Sequence, residues 1–254
     1  MENNTLSKKQ QKRLARAAKK QAQMQNQKTG RAVKSTATWA ITLLVIVGIV
    51  YGLVLLVRNS STNELIGVDT DLSIESTDWT IGEAEAPVQL IEFSDFQCPA
   101  CAAYHSVVKQ VISEYPSDVL FAYRHYPLSQ IHPHAELAGR AAEAAGIQGK
   151  FWEMHDKLFE TQASWSARAS VKDLFVEFAS ELGLDVTRFE ADIDSDEVKD
   201  AVEGEALQAR ALNLPGTPSF IVNGVYVQNP PSIDAFRAII EDAIANAGAD
   251  TTTE

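Results

Sequence analysis

Two cysteines, Cys98 and Cys101, stand apart in this sequence with only Pro99 and Ala100 between them. Two thiols at this spacing fall within one helical turn and within bonding range of each other. They can therefore exchange a disulfide with another chain, the first sulfur attacking and the second resolving the mixed disulfide. If the pair opens a helix, the free N–H groups and the macrodipole there stabilise an anion, and the first thiol titrates below its usual range. Pro99 suits an early helical position, where no backbone donor is needed. Other uses of the pair stand beside this one. A structural staple gains little, because so short a loop has little entropy to lose. A metal centre needs more ligands; His105, His132 or His134 could join, but none has finger-like spacing. Two inert buried thiols are not expected at this spacing outside the cytoplasm.

The flanking elements decide where the pair sits. VQLIEF at 88–93 follows Pro87 as a short apolar run, a strand with Val88, Leu90 and Glu92 on one face and Gln89, Ile91 and Phe93 on the other. Beyond the cysteines, Tyr104, Val107, Val108, Val111, Ile112 and Tyr115 recur at helical spacing until Pro116. VLFAYRHY at 119–126 reads as a second strand. From about 133 to 212 the pattern is helical: one helix ends at Gly146, one runs through Phe151 and Phe159, one ends at Gly183, one short helix follows Asp185, and one covers about 196 to 212. SFIV, Asn223-Gly224 and VYVQ then form a hairpin whose turn needs positive φ. A closing helix carries Ile233, Phe236, Ile239, Ile240, Ala243 and Ile244, with Gly248 as its expected stop. The order is β-α-β, a helical insert, then β-β-α.

Ahead of this lies WAITLLVIVGIVYGLVLLV at 39–57, with no charged residue. As a helix it spans about 28 Å, close to the hydrocarbon core of a bilayer. A cleaved signal peptide has a shorter apolar region and an A-x-A site, and here RNSSTNEL follows instead. The segment reads as an uncleaved transmembrane anchor. Residues 1–38 carry ten of the 22 Lys and Arg residues and one of the 34 acids, which places this basic tail in the cytoplasm, against or near membrane lipid. Residues 58–78 read as a tether, and folded structure is expected from Trp79 to Gly248. That exported part is acidic and lacks the clustered cations that nucleic acid needs.

DWTIGEAEAPVQLIEFSDFQCPAC, FAYRHYPL, HAELAGRAAEAAG with KFWEMHDKLF, and GTPSFIVNG occur in that order. Over about residues 78–247 they resemble the DsbA-family thiol–disulfide oxidoreductases of the membrane-anchored kind. The resemblance implies an α/β thioredoxin fold with an inserted helical domain, at about 133–212, here preceded by one N-terminal transmembrane helix. It implies Cys98 as the exposed nucleophile, Cys101 as its buried partner, and no cofactor beyond that redox pair. It implies a cis Thr217-Pro218 bond beside the pair, where backbone groups receive substrate. It also places an acid, Glu92, beneath the cysteines, where burial raises its pKa and lets it exchange protons with Cys101. Ala100 departs from the histidine of the best-known members, which bears on redox strength. His125, His132, His134 and His155 read as packing or surface residues, Phe151 and Trp152 as filling of the helical core, and His105, on the helical face of Cys98, as a surface or capping residue that could also lend positive charge.

The expected activity is introduction of disulfides into cysteine-containing exported polypeptides, and the resemblance implies that electrons pass to a quinone-linked membrane re-oxidase. Disulfide reduction or isomerisation, and a non-enzymatic metal-handling or chaperone module using the cysteines as ligands, are the alternatives.

Overall fold

The computed structural model describes residues 72–250, together with Gly48 and Tyr51. The basic tail, the rest of the 39–57 segment and the first part of the expected tether lie outside the described residues. Among those described, no helix is long and apolar enough to cross a membrane.

Five strands form one sheet: β1 (Trp79–Ile81), β2 (Val88–Ser94), β3 (Val119–His125), β4 (Ser219–Val222) and β5 (Val225–Val227). Their spatial order is β1-β3-β2-β4-β5; β2 and β3 run parallel and the other pairs antiparallel. The parallel pair needs a crossover, and α1 (Pro99–Glu114) supplies it. The alternation read in β2 sets its two faces. Val88 and Leu90 join a large core with Phe121, Val111 and Phe236, while Ile91 and Phe93 join a second core with Ala122 and Ile221. Both faces are therefore covered, as a sheet with a parallel centre requires. The hairpin between β4 and β5 turns on Asn223 (φ 47°) and Gly224 (φ 78°), the positive-φ pair that the sequence predicts.

The insert between β3 and β4 consists of α2 (Ala135–Gly146), α3 (Phe151–Glu160), α4 (Gln162–Trp165), α5 (Lys172–Glu181), α6 (Val186–Asp192) and α7 (Asp196–Ala211). Asp185 caps α6 by accepting from the Arg188 N–H, and Ser195 caps α7 by accepting from the Val198 N–H. The closing helix is α8 (Ile233–Asp250).

Four expectations need correction. Gly248 does not stop the last helix, which continues to Asp250. α4 is an extra turn of helix too short to leave a period. β1 was read only as the point where folding starts; it is an edge strand antiparallel to β3. The polar residues assigned to a tether up to 78 also contain folded chain. Leu72 and Ile74 pack on the second core, the Ile74 N–H donates to Gln89 Oε1 at 2.9 Å, and Asp78 pairs with Arg124. A segment that folds only through partners far along the chain shows no local period, so composition alone misassigns it.

Candidate active site

Cys98 is the N-cap of α1 and Pro99 its first residue, with no acid in the first turn to compete for the exposed N–H groups. Both sulfurs are free thiols. The Cys101 thiol donates to the Cys98 sulfur and is the main cause that brings Cys98 down to about 5; burial opposes it, and the Ala100 and Cys101 amides assist. Cys101 moves the other way. Burial pushes its thiol far above the usual range, and the Cys98 and Glu92 charges push it further. The hydrogen bond from Cys101 and the deeper burial of Cys101 thus separate two chemically identical groups into a thiolate and a thiol.

The expected exposure of Cys98 is not found. Cys98 is 7% exposed and Cys101 0%. The chain around Thr217 closes over the first sulfur, which lies 3.5 Å from the Thr217 carbonyl oxygen. Pro99 and Ala100 remain exposed beside it. Thr217-Pro218 is a cis bond, as the resemblance implied. Asn229 Nδ2 donates to the Pro218 carbonyl at 2.9 Å, and Tyr104 Oη donates to the Pro230 carbonyl at 2.7 Å, which ties this loop to α1.

Glu92 is 3% exposed, on β2 opposite Tyr123 of β3. Burial pushes it up to about 7; the Ser94 hydroxyl lowers it and the Cys98 charge adds to the rise. The structure therefore brings Cys98, Cys101 and Glu92 together, with Thr217 at the outer side.

Other residues hold the turn in shape, and sequence reading missed them. Asp95, buried, accepts from the Gln97 N–H and the Leu128 N–H, and its Oδ2 lies 2.7 Å from His132 Nδ1. Gln97 reaches Ser166 and His134, and His134 Nε2 lies against the Arg168 carbonyl. Gln162 of α4 donates to the carbonyls of Phe96 and Cys98 at 2.7 and 2.9 Å. The insert thus grips the backbone just before α1.

The histidines divide. His132 and His134 belong to this network rather than to the cysteines. His125 and His155 are buried, as packing residues should be. His105 is largely buried too, with Nε2 2.9 Å from Asp156 Oδ1. His105, His155 and Asp156 place ligand-type atoms within 4.8 Å of one another, on the wall of a cavity of about 60 Å³ that also reaches Glu92.

The sequence pattern of the family described as thioredoxin matches residues 75–242. Among curated relatives, "Na(+)/H(+) antiporter NhaA 3" of Salinispora tropica is 36% identical over 183 residues, 72% of this chain and 26% of that protein. "Na(+)/H(+) antiporter NhaA 1" of Mycolicibacterium vanbaalenii is 37% identical over 153 residues, 59% of this chain and 24% of that protein. The chain thus spans about a quarter of the length of these relatives. Among solved structures, a thioredoxin-like oxidoreductase from Silicibacter pomeroyi is 27% identical with a TM-score of 0.57, covering 69% of this chain and 94% of that one. BdbD from Bacillus subtilis, in its oxidised form, is 22% identical with a TM-score of 0.60, covering 66% and 93%. α-DsbA1 from Wolbachia pipientis is 20% identical with a TM-score of 0.63, covering 75% and 100%. The last two share the fold: a thioredoxin sheet with a helical insertion.

Proposed function

The chain belongs to the thioredoxin family, and from that membership and the geometry of its cysteine turn we propose that it catalyses thiol–disulfide exchange, oxidising cysteine pairs in other polypeptides. The observation that carries this reading is the split between the two sulfurs. Cys98 is held as a thiolate at the start of α1, and Cys101 is held protonated in the core beside Glu92. Stabilising the thiolate stabilises the reduced pair and makes the disulfide the more oxidising form. At about 5, Cys98 stands between the values of about 7 and about 3.5 that accompany reducing and strongly oxidising members of such pairs.

In the oxidising direction a substrate thiolate attacks Cys98 of the disulfide. Cys101 leaves with the electron pair and takes a proton from Glu92. A second substrate thiol then displaces Cys98 and completes the new bond. The backbone at Thr217-Pro218 receives the substrate chain alongside. The 39–57 segment anchors the protein in the membrane, with the domain outside the cytoplasm and an acidic surface toward exported polypeptides. A quinone-linked membrane partner re-oxidises the pair. Sodium–proton exchange is named for relatives of which this chain spans a quarter, and nothing in the described site supports it.

Cys101→Ala in the full-length chain removes the resolving thiol. Mixed disulfides through Cys98 with exported proteins are expected to accumulate, and Cys98→Ala is expected to give none. Equal trapping by both variants rules the assignment out.

A further inference from the structure

Glu92 and Cys101 are both closed off from solvent, yet each exchange cycle moves a proton into and out of this interior. The cavity of about 60 Å³ has Glu92 in its wall and runs between α1 and α3. Such a volume has room for a few water molecules. Val108, Phe121 and Phe159 make its sides apolar, whereas His105, Lys109, His155 and Asp156 supply polar groups away from the sheet. Lys109 and Ile81, also in the wall, are exposed. Beside Glu92, the buried Tyr123 hydroxyl has no hydrogen-bond partner.

Asp156 organises the outer end. Its Oδ1 lies 2.9 Å from His105 Nε2 and 3.2 Å from His155 Nδ1, and Lys109 Nζ is 2.5 Å from its Oδ2; Glu160 stands 3.9 Å from the same ammonium. Burial works against the Asp156 charge, but the hydrogen bonds from His105, His155 and Lys109 outweigh it and keep the carboxylate ionised. Burial lowers His155 to about 4, so it stays neutral. His105 is the remaining imidazole, able to take a proton on one ring nitrogen and release one from the other.

We propose that this cavity is the proton port of the redox site, with the His105–Asp156 couple passing protons between solvent and the water next to Glu92. The inference rests on the exchange reading above and gives the helical insert a part in the chemistry. When substrate thiolate attacks Cys98, the new Cys98–substrate S–S bond forms and the Cys98–Cys101 bond breaks. Its electron pair stays on the Cys101 sulfur, which takes the Glu92 proton, and the port returns one proton to Glu92. When Cys101 resolves a mixed disulfide, the same bonds and proton movements reverse.

The test uses the full-length chain and a chromogenic aromatic thiol held as a mixed disulfide on Cys98, whose release by Cys101 is timed in dilute buffer near pH 7. Asp156→Asn alters the outer couple and Ile112→Phe fills the cavity. Both are expected to slow release about tenfold, less than the roughly 100-fold or more of a group that transfers the proton directly, because they act through Glu92, with the reduction potential and the Cys98 titration unchanged. Concentrated imidazole is expected to restore Asp156→Asn and not Ile112→Phe. Unchanged release in both variants overturns the port, and so does slowing that comes with a shifted potential, since that marks a structural effect. Glu92→Gln separates the two levels. If it alone slows release, the port fails and the exchange reading stands; if Cys98→Ala still exchanges disulfides, the exchange reading itself fails.

Discussion

Two polar clusters are buried against neighbouring residues of β3, and they obey opposite rules. Arg124 faces the second core, and each of its three nitrogens is hydrogen-bonded. Nε and Nη2 form a side-on pair with Asp78 at 2.8 and 2.6 Å, Nη1 donates to Gln208 at 2.9 Å, and Nη2 also donates to the Ser73 carbonyl. Tyr123, one residue earlier, faces Glu92 on the redox side, and there a hydroxyl is left without a partner and a carboxyl sits near 7. A buried charge that is paired and hydrogen-bonded stays charged and ties chain segments together. A buried acid without an ion-pair partner changes protonation near physiological pH, which costs stability and gives chemistry. One sheet therefore holds a clamp on one side and a buried acid raised to about 7 on the other.

Removing the clamp is the largest perturbation. Arg124→Leu leaves Asp78 buried and unpaired, and a loss of about 3–5 kcal/mol in denaturant unfolding is expected. Arg124→Lys keeps the charge but loses the fork, and is expected to fall between that variant and the parent. The reduction potential of the folded fraction is expected to hold in both. A changed potential breaks the distinction between the two sides.

Glu92→Gln is expected to do the reverse, stabilising while it slows. A carboxyl raised from its usual 4.5 to about 7 favours the fold fully below 4.5, and this contribution is lost as pH rises through 7. The reduced variant is therefore expected to be more stable above pH 7, by at most about 3 kcal/mol, and to match the parent below pH 4. Turnover is expected to fall about 10- to 100-fold. Stability that does not depend on pH contradicts the raised Glu92.

Ala100→His probes the outer end of the redox side and has the smallest expected effect. An exposed, partly protonated imidazole next to the Cys98 thiolate favours the reduced form. One contact of about 1.4 kcal/mol makes the potential less negative by about 30 mV. An unchanged or more negative potential means that position 100 does not face the Cys98 sulfur.

The redox side was legible because its signals are local. The cysteines are three residues apart and Asn223-Gly224 names its own turn, while the place of Glu92 beneath the cysteines came from the family resemblance. The clamp was not legible, because Arg124 and Asp78 are 46 residues apart and neither sits in a pattern that announces the other. Gln162 and Trp79 were missed for the same reason. Trp79 stacks on Phe151 and donates to Glu143, 64 residues away. Gly146 looked like a helix stop, and it is the last residue of α2; but a Cβ there would lie 2.3 Å from Trp79 Cζ2, so the ring also requires that glycine. The covering of Cys98 by Thr217 likewise joins residues far apart, and the exposure of Cys98 that the family resemblance implied does not account for it.

That last contact has a consequence for the order in which the molecule becomes active. Cys98 and Thr217 are 119 residues apart, and β4, the second neighbour of β2, follows the whole helical insert. Pairings over such distances close slowly, because chain entropy is lost before the contact forms. A chain emerging from the ribosome presents the cysteines, β3 and the insert helices before the strand that completes their surroundings. Until β4 docks, the dithiol has neither its lid nor a closed core beneath it. On the proposed exchange activity, the nascent protein is itself a two-cysteine polypeptide open to indiscriminate exchange, and its selectivity arrives with one of its last strands.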